Sequence, residues 1–146
     1  MDTTNGALSA VVIDSDPDLR GYLRSLLAGM GYQVHVAGTA AEGVRLTREH
    51  RPDLVTTELH LPPPPGDPGM DGLEAMRQIQ TFSNAYILVI AASNDPVDLY
   101  MALATAADDY LVKPFSPPIL RARIAALARR PRKLHPHGPA HHPDGA

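Results

Sequence analysis

Cysteine is absent from the 146 residues, which excludes disulfide frameworks, thiol catalysis and cysteine-rich zinc sites. No apolar run approaches the roughly 20 residues that a membrane-spanning helix requires. The opening MDTTNGALSA lacks the basic segment and long apolar core of a secretory signal. Charge of one sign is not in excess: the net charge is −3 and 44% of residues are hydrophobic, a balance neither disordered nor nucleic-acid-like. The expectation is a soluble cytoplasmic protein, one domain around a single core with a short appendage.

What is present is an alternation of short apolar runs and amphipathic stretches. Ser9–Ile13 reads as a β-branched strand ending in the turn and helix-start residues Asp14, Ser15, Asp16 and Pro17. Leu19, Tyr22, Leu23, Leu26, Leu27 and Met30 recur at helical spacing and stop at Gly29 and Gly31. The same reading predicts strands at Val34–Ala37, Leu54–Leu59, Tyr86–Ala91 and Tyr110–Val112. Helices are predicted near 40–49, 71–80 and 96–106, and a last one carries Leu120, Ile124 and Leu127.

Five βα units of this size predict an α/β fold with a parallel sheet and helices on both faces. Ligands of such sheets sit beyond the carboxyl ends of the strands. That topology gathers Asp14–Asp16, Glu58, Ala91 and Lys113 into one place, a site of acids and one lysine. After Arg130 the composition changes: PRKLHPHGPAHHPDGA holds four prolines and four histidines, the pattern of a disordered tail or linker. The segments are thus a flexible 1–7, a folded 8–130 and a tail at 131–146. Pro62–Pro68 is a second proline-rich piece, within the domain, with an extended and stiff preference.

These segments together resemble the receiver domain of bacterial two-component response regulators, over roughly residues 8–130. VVIDSDPDLRGYLRSLL resembles the family's first strand, acidic turn and helix, GYQVHVAGTAAEGV its second βα unit, RPDLVTTELHLP with GMDGLEAMRQI its third, and ADDYLVKPFSP its fifth strand and Lys-Pro turn. The resemblance implies a flavodoxin-like, doubly wound (βα)5 fold with parallel strand order 2-1-3-4-5. It also implies phosphoryl transfer from a histidine kinase to an aspartate, with Mg²⁺ held by two acids near strand one.

Several matched positions depart from that pattern. The acceptor position holds Glu58. Asp14 matches the first metal acid, Ser15 stands at the second, and Asp16 follows as either a substitute ligand or a helix N-cap. The position of the phosphate-binding hydroxyl is Ala91; Tyr110 occupies that of the aromatic switch. Lys113 and Pro114, whose peptide is cis in the family, are retained. Six residues, Pro63–Pro68, are inserted beside the site.

One added methylene moves the Glu58 carboxylate by about 1.5 Å, against a tolerance near 1 Å for positioned chemistry. Two readings follow: a built-in mimic of the phosphorylated state, or an ion pair with Lys113 closing a decayed site. Either way the expectation is an atypical pseudo-receiver, not an enzyme, with no cofactor and weak or absent Mg²⁺ binding. The inserted prolines read as a tolerated loop, a cover for the site or a docking strip.

The family's dimer surface spans the fourth helix, fifth strand and fifth helix. Here Asp108, Asp109 and Arg123 match its charges, whereas Leu99, Tyr100, Met101 and Ile119 are apolar where charge is common. The expected partners are proteins, or a second copy forming a homodimer. A histidine kinase is left open, and no membrane or direct nucleic-acid contact is expected. The run Arg129, Arg130, Arg132, Lys133 reads as a solubilising helix end, and His135, His137, His141 and His142 as no dedicated metal site. The runner-up readings are the receiver half of a transcription regulator whose DNA-binding domain is absent from the chain, and a weakly phosphorylatable receiver.

Overall fold

The computed structural model describes residues 7–65 and 69–131. Ten elements alternate along the chain: β1 (Leu8–Ile13), α1 (Pro17–Gly29), β2 (Tyr32–Ala37), α2 (Ala40–His50), β3 (Leu54–Thr57), α3 (Gly72–Gln80), β4 (Tyr86–Ala91), α4 (Pro96–Thr105), β5 (Asp109–Val112) and α5 (Pro117–Ala128). The five strands form one parallel sheet in the order β2-β1-β3-β4-β5. The parallel sheet is the one that the βα alternation predicts, and its order is the flavodoxin-like one that the resemblance implies.

Each helix begins where a short polar side chain satisfies a first-turn N–H. Asp16, Thr39, Asp71, Asp95 and Ser116 take these positions. Proline follows the cap in α1, α4 and α5, where its missing N–H costs nothing.

Alternation along the strands divides the core in two. Val11, Ile13, Val55, Ile87 and Val89 face α2, α3 and the single buried residue of α4, Ala102. Ala10, Val12, Leu54, Leu88 and Ile90 face α1 and α5 through Leu23, Leu27, Leu120, Ile124 and Leu127.

One boundary differs in a way that matters. The apolar pattern extends the third strand to Leu59, but β3 ends at Thr57. Glu58 N–H donates to Ile13 at 3.0 Å, and the carbonyl of Leu59 is then taken by Gly72 N–H at 3.0 Å. The chain therefore leaves the sheet with Glu58 at its rim. In the proline-rich loop, Leu61 is buried and Met70 packs against the same core, so both ends of the insertion are anchored. Its residues 66–68, the expected flexible residues 1–6 and the tail from Arg132 lie outside the described residues.

Candidate functional site

The carboxyl ends of β1, β3, β4 and β5 bring Asp14, Ser15, Glu58, Ala91 and Lys113 together, as topology requires. Asp14 follows β1 directly; its N–H donates to Ala37 at 3.0 Å, and Arg20 donates from Nη1 to its carbonyl at 2.9 Å. The residue is only 1% exposed. Oδ1 accepts from Asp16 N–H at 2.9 Å, and Oδ2 lies 3.7 Å from Lys113 Nζ.

Asp16 plays a different part. It is exposed, and its carboxylate caps α1 by accepting from Asp18 N–H at 3.0 Å. Of its two readings, the structure shows the N-cap.

Glu58 is clasped by the β1–α1 turn. Its Oε1 accepts from both the N–H and the hydroxyl of Ser15, each at 2.8 Å. Its Oε2 lies 3.8 Å from Lys113 Nζ. Lys113 is thus at ion-pair range of two carboxylates, beyond the distance of a good hydrogen bond to either. The lysine is placed by its own N–H, which donates to Ala91 at 2.8 Å, and by a cis peptide to Pro114.

Close approach on the other side fixes Glu58 further. A Cβ built on Gly72 would stand 1.9 Å from the carbonyl oxygen of Glu58, so only glycine lets α3 start there. Thr57 donates its hydroxyl to the same carbonyl at 2.9 Å.

Burial raises the Asp14 pKa above the ordinary aspartate range. The Asp16 amide opposes this, the Glu58 charge adds to the rise, Lys113 lowers it, and Asp16 contributes a small further rise. Desolvation wins because Asp14 lies inside the rim while its cation is held at long range. Every carboxylate oxygen of Asp14 and Glu58 already has a partner within the chain, and Ser15 is a neutral ligand. Among the described residues no group of three or more His, Cys, Asp and Glu side chains is placed to hold a metal ion.

Ala91 is buried and carries no hydrogen-bonding side chain. Tyr110 is turned inward: its ring is buried and its hydroxyl donates to the Ser93 carbonyl at 2.9 Å. Burial, with Asp98 and Asp95 nearby, raises its pKa.

The surface of α4, β5 and α5 is more divided than the sequence implies. Leu99, Tyr100 and Met101 are all exposed, Tyr100 most at 68%, with Val97, Leu103 and Ile119 beside them in exposure. Asp109 and Arg123 pair within the chain at 3.0 Å. Asp108 is engaged elsewhere: it accepts from Ile87 N–H at 2.8 Å and faces Arg130 at 4.0 Å. Arg130 in turn lies over Tyr86.

Some of this was not foreseen from the residues. Ser15 reads in sequence as a lost metal ligand, whereas in space it is the main partner of Glu58. Arg20, one helical turn after Asp16, holds the Asp14 carbonyl, and Ser93 supplies the acceptor for Tyr110. Gly72 carried a signal, since a glycine directly after the capping Asp71 suggests a close backbone approach.

Among the described residues no helix is long and apolar enough to cross a membrane. The sequence model of the response regulator receiver domain matches residues 10–125. The chain is 38% identical over 120 residues to the DNA-binding response regulator MtrA of Mycolicibacterium smegmatis, covering 82% of this chain and 50% of that protein. It is 37% identical over 122 residues to the transcriptional regulatory protein AfsQ1 of Streptomyces coelicolor, covering 84% and 52%. The chain therefore spans about half the length of these curated relatives. In three dimensions it is similar to a two-component response regulator from Clostridium difficile, with a TM-score of 0.76 and 27% identity over 84% of this chain and 97% of that one.

Proposed function

From the premise that the chain belongs to the response regulator receiver domain family, we propose that it is an atypical receiver working without phosphorylation, as a protein–protein interaction module. The observation that carries this reading is the state of Glu58, which stands where the family's acceptor aspartate would be. Both of its oxygens are engaged by the chain's own residues, Ser15 and Lys113. Oε1 of a carboxylate so held is committed to Ser15, and Oε2 faces the Lys113 ammonium at ion-pair range.

The neighbouring positions support the same reading. The family implies Mg²⁺ here, but the residues do not fit it: Asp14 already serves Asp16 N–H and Lys113, and a serine replaces the second acid. Ala91 offers no hydroxyl to a phosphate. Tyr110, which matches the family's switch position, is held inward by its hydrogen bond to Ser93, in keeping with this reading. The output surface in this reading is the exposed apolar strip of α4 with Asp109, Arg123 and Ile119, available to a second copy or to another protein.

Intact mass after incubation with Mg²⁺ and acetyl phosphate tests this. The expected outcome is no adduct, beside full labelling of an ordinary receiver. An alkali-labile phosphoryl adduct would overturn the reading and restore a phosphate-accepting regulator.

A second reading is favoured by the relatives' names and lengths. It makes this chain the receiver half of a DNA-binding regulator whose output domain lies in a longer product. DNA binding by the full-length gene product, and none by residues 1–146, is its expected outcome.

A further inference from the structure

We propose that His35 and His50 form a proton-operated latch holding the last turn of α2 against β2, the outer strand of the sheet. Their rings are stacked, with centroids 3.6 Å apart and planes within 8°. His35 lies in the middle of β2 and is half-buried; its flanking residues Val34 and Val36 turn to the opposite, α1-side core. His50 is the final residue of α2, and Arg51 closes that helix in the left-handed conformation at φ 48°.

The charges facing His35 come from two elements. Glu49 and His50 act from α2, and the charge of Arg24 acts more weakly from α1. On β1 its register partner is Val11, apolar and fully buried, which contributes no titratable group. Burial, His50 and Arg24 lower the His35 pKa, while Glu49 alone pulls the other way. No second acid is present among these neighbours to balance a second positive charge.

Two neutral imidazoles, or one neutral and one charged, stack without penalty. Two imidazolium rings at this separation repel directly, with no room for water between them. The stacked geometry therefore disfavours a positive charge on both rings at once. Charging both rings parts them and loosens the His50 end of α2 from β2, while Thr47 stays buried and Arg48 stays over Phe82. β2 is paired on one side only, with β1, and parting the rings exposes the face of this outer strand around His35. Acidification below the ordinary histidine range is the signal this device reads.

The test is a histidine Cε1–Hε1 NMR titration of the full chain from pH 8 to 5, beside His50→Gln and His35→Gln. The chain has seven histidines, so the single variants assign the two signals by their loss. The expected result is that His35 titrates at higher pH in His50→Gln than in the native chain. Backbone amides of residues 34–37 and 47–51 should shift together at the acid end in the native chain, and in neither variant. A His35 midpoint unchanged by His50→Gln, or amides that move equally in all three proteins, would overturn the proposal. Backbone spectra at pH 8 show whether each variant is folded.

Discussion

The hydroxyl and the backbone amide of Ser15 converge on one oxygen of Glu58, each at 2.8 Å. This ties the β1–α1 turn to the end of β3 across two strands, through a half-buried pair. A hydrogen bond to a charged acceptor contributes more than a neutral one, and partial exposure reduces the gain. Ser15→Ala removes the hydroxyl and leaves the amide, so a loss of about 1 kcal/mol is expected by urea denaturation. An unchanged midpoint would mean that water replaces the hydroxyl at no cost.

If, as proposed, Ser15, Glu58 and Ala91 keep the chain from accepting phosphate, substituting the family's residues at all three positions together should permit it. The triple variant Ser15→Asp, Glu58→Asp, Ala91→Thr is expected to gain a phosphoryl group from acetyl phosphate and Mg²⁺, seen by intact mass. Glu58→Asp alone should gain little, because the metal acid and the hydroxyl remain missing. Equal labelling of the single and triple variants would show that acceptor length alone decides.

Asp14 predicts a pH dependence with a definite sign. Its folded pKa is raised, so the folded chain binds more protons than the unfolded chain above the unfolded value near 3.8. Its contribution to stability is full below that value and is lost as pH rises through the folded pKa. The stability of the native chain minus that of Asp14→Asn should therefore fall with rising pH in a urea series that starts just below pH 4. A difference that grows with pH would show that pairing with Lys113 outweighs burial.

Thr56 sits in β3 with 1% exposure, and its hydroxyl has no hydrogen-bond partner. Its register neighbours, Val12 and Leu88, are fully buried and apolar. An unpaired buried hydroxyl costs about 1–3 kcal/mol, and valine has nearly the same shape. Thr56→Val is expected to stabilise the fold by about 1 kcal/mol, measured as a higher denaturation midpoint. Destabilisation would reveal an ordered water serving the hydroxyl.

The Tyr110 hydroxyl joins β5 to the β4–α4 connection through Ser93. Tyr110→Phe should leave the sheet intact while raising amide hydrogen exchange in residues 93–99. Unaltered exchange there would show that burial of the ring alone fixes the loop.

Much of this was legible in the sequence because local and global signals agree. The βα alternation, capping residues and apolar runs each point to the same parallel sheet, while its strand order was implied by the resemblance to receiver domains. The gathering of Asp14, Glu58 and Lys113 followed from topology, since all three lie just past strand ends. What escaped were distances set by side-chain choice. That Ser15 would turn to Glu58 depends on a carboxylate one methylene longer than aspartate, reaching across from β3. That Asp108 would serve β4 while Asp109 pairs with Arg123 depends on the pleat of β5, whose start the pattern placed one residue late. The stacked histidines were invisible because His35 and His50 carry no motif and meet only when α2 folds back along β2.

Helix α4 buries Ala102 and little else, while Val97, Tyr100, Met101 and Leu103 face water. A helix this apolar is ordinarily enclosed on all sides. Its order and its covering are consequently one equilibrium, because whatever shields those side chains also holds the turns together. Any molecule that covered this face would therefore hold the turns of α4 together as well as bury its side chains.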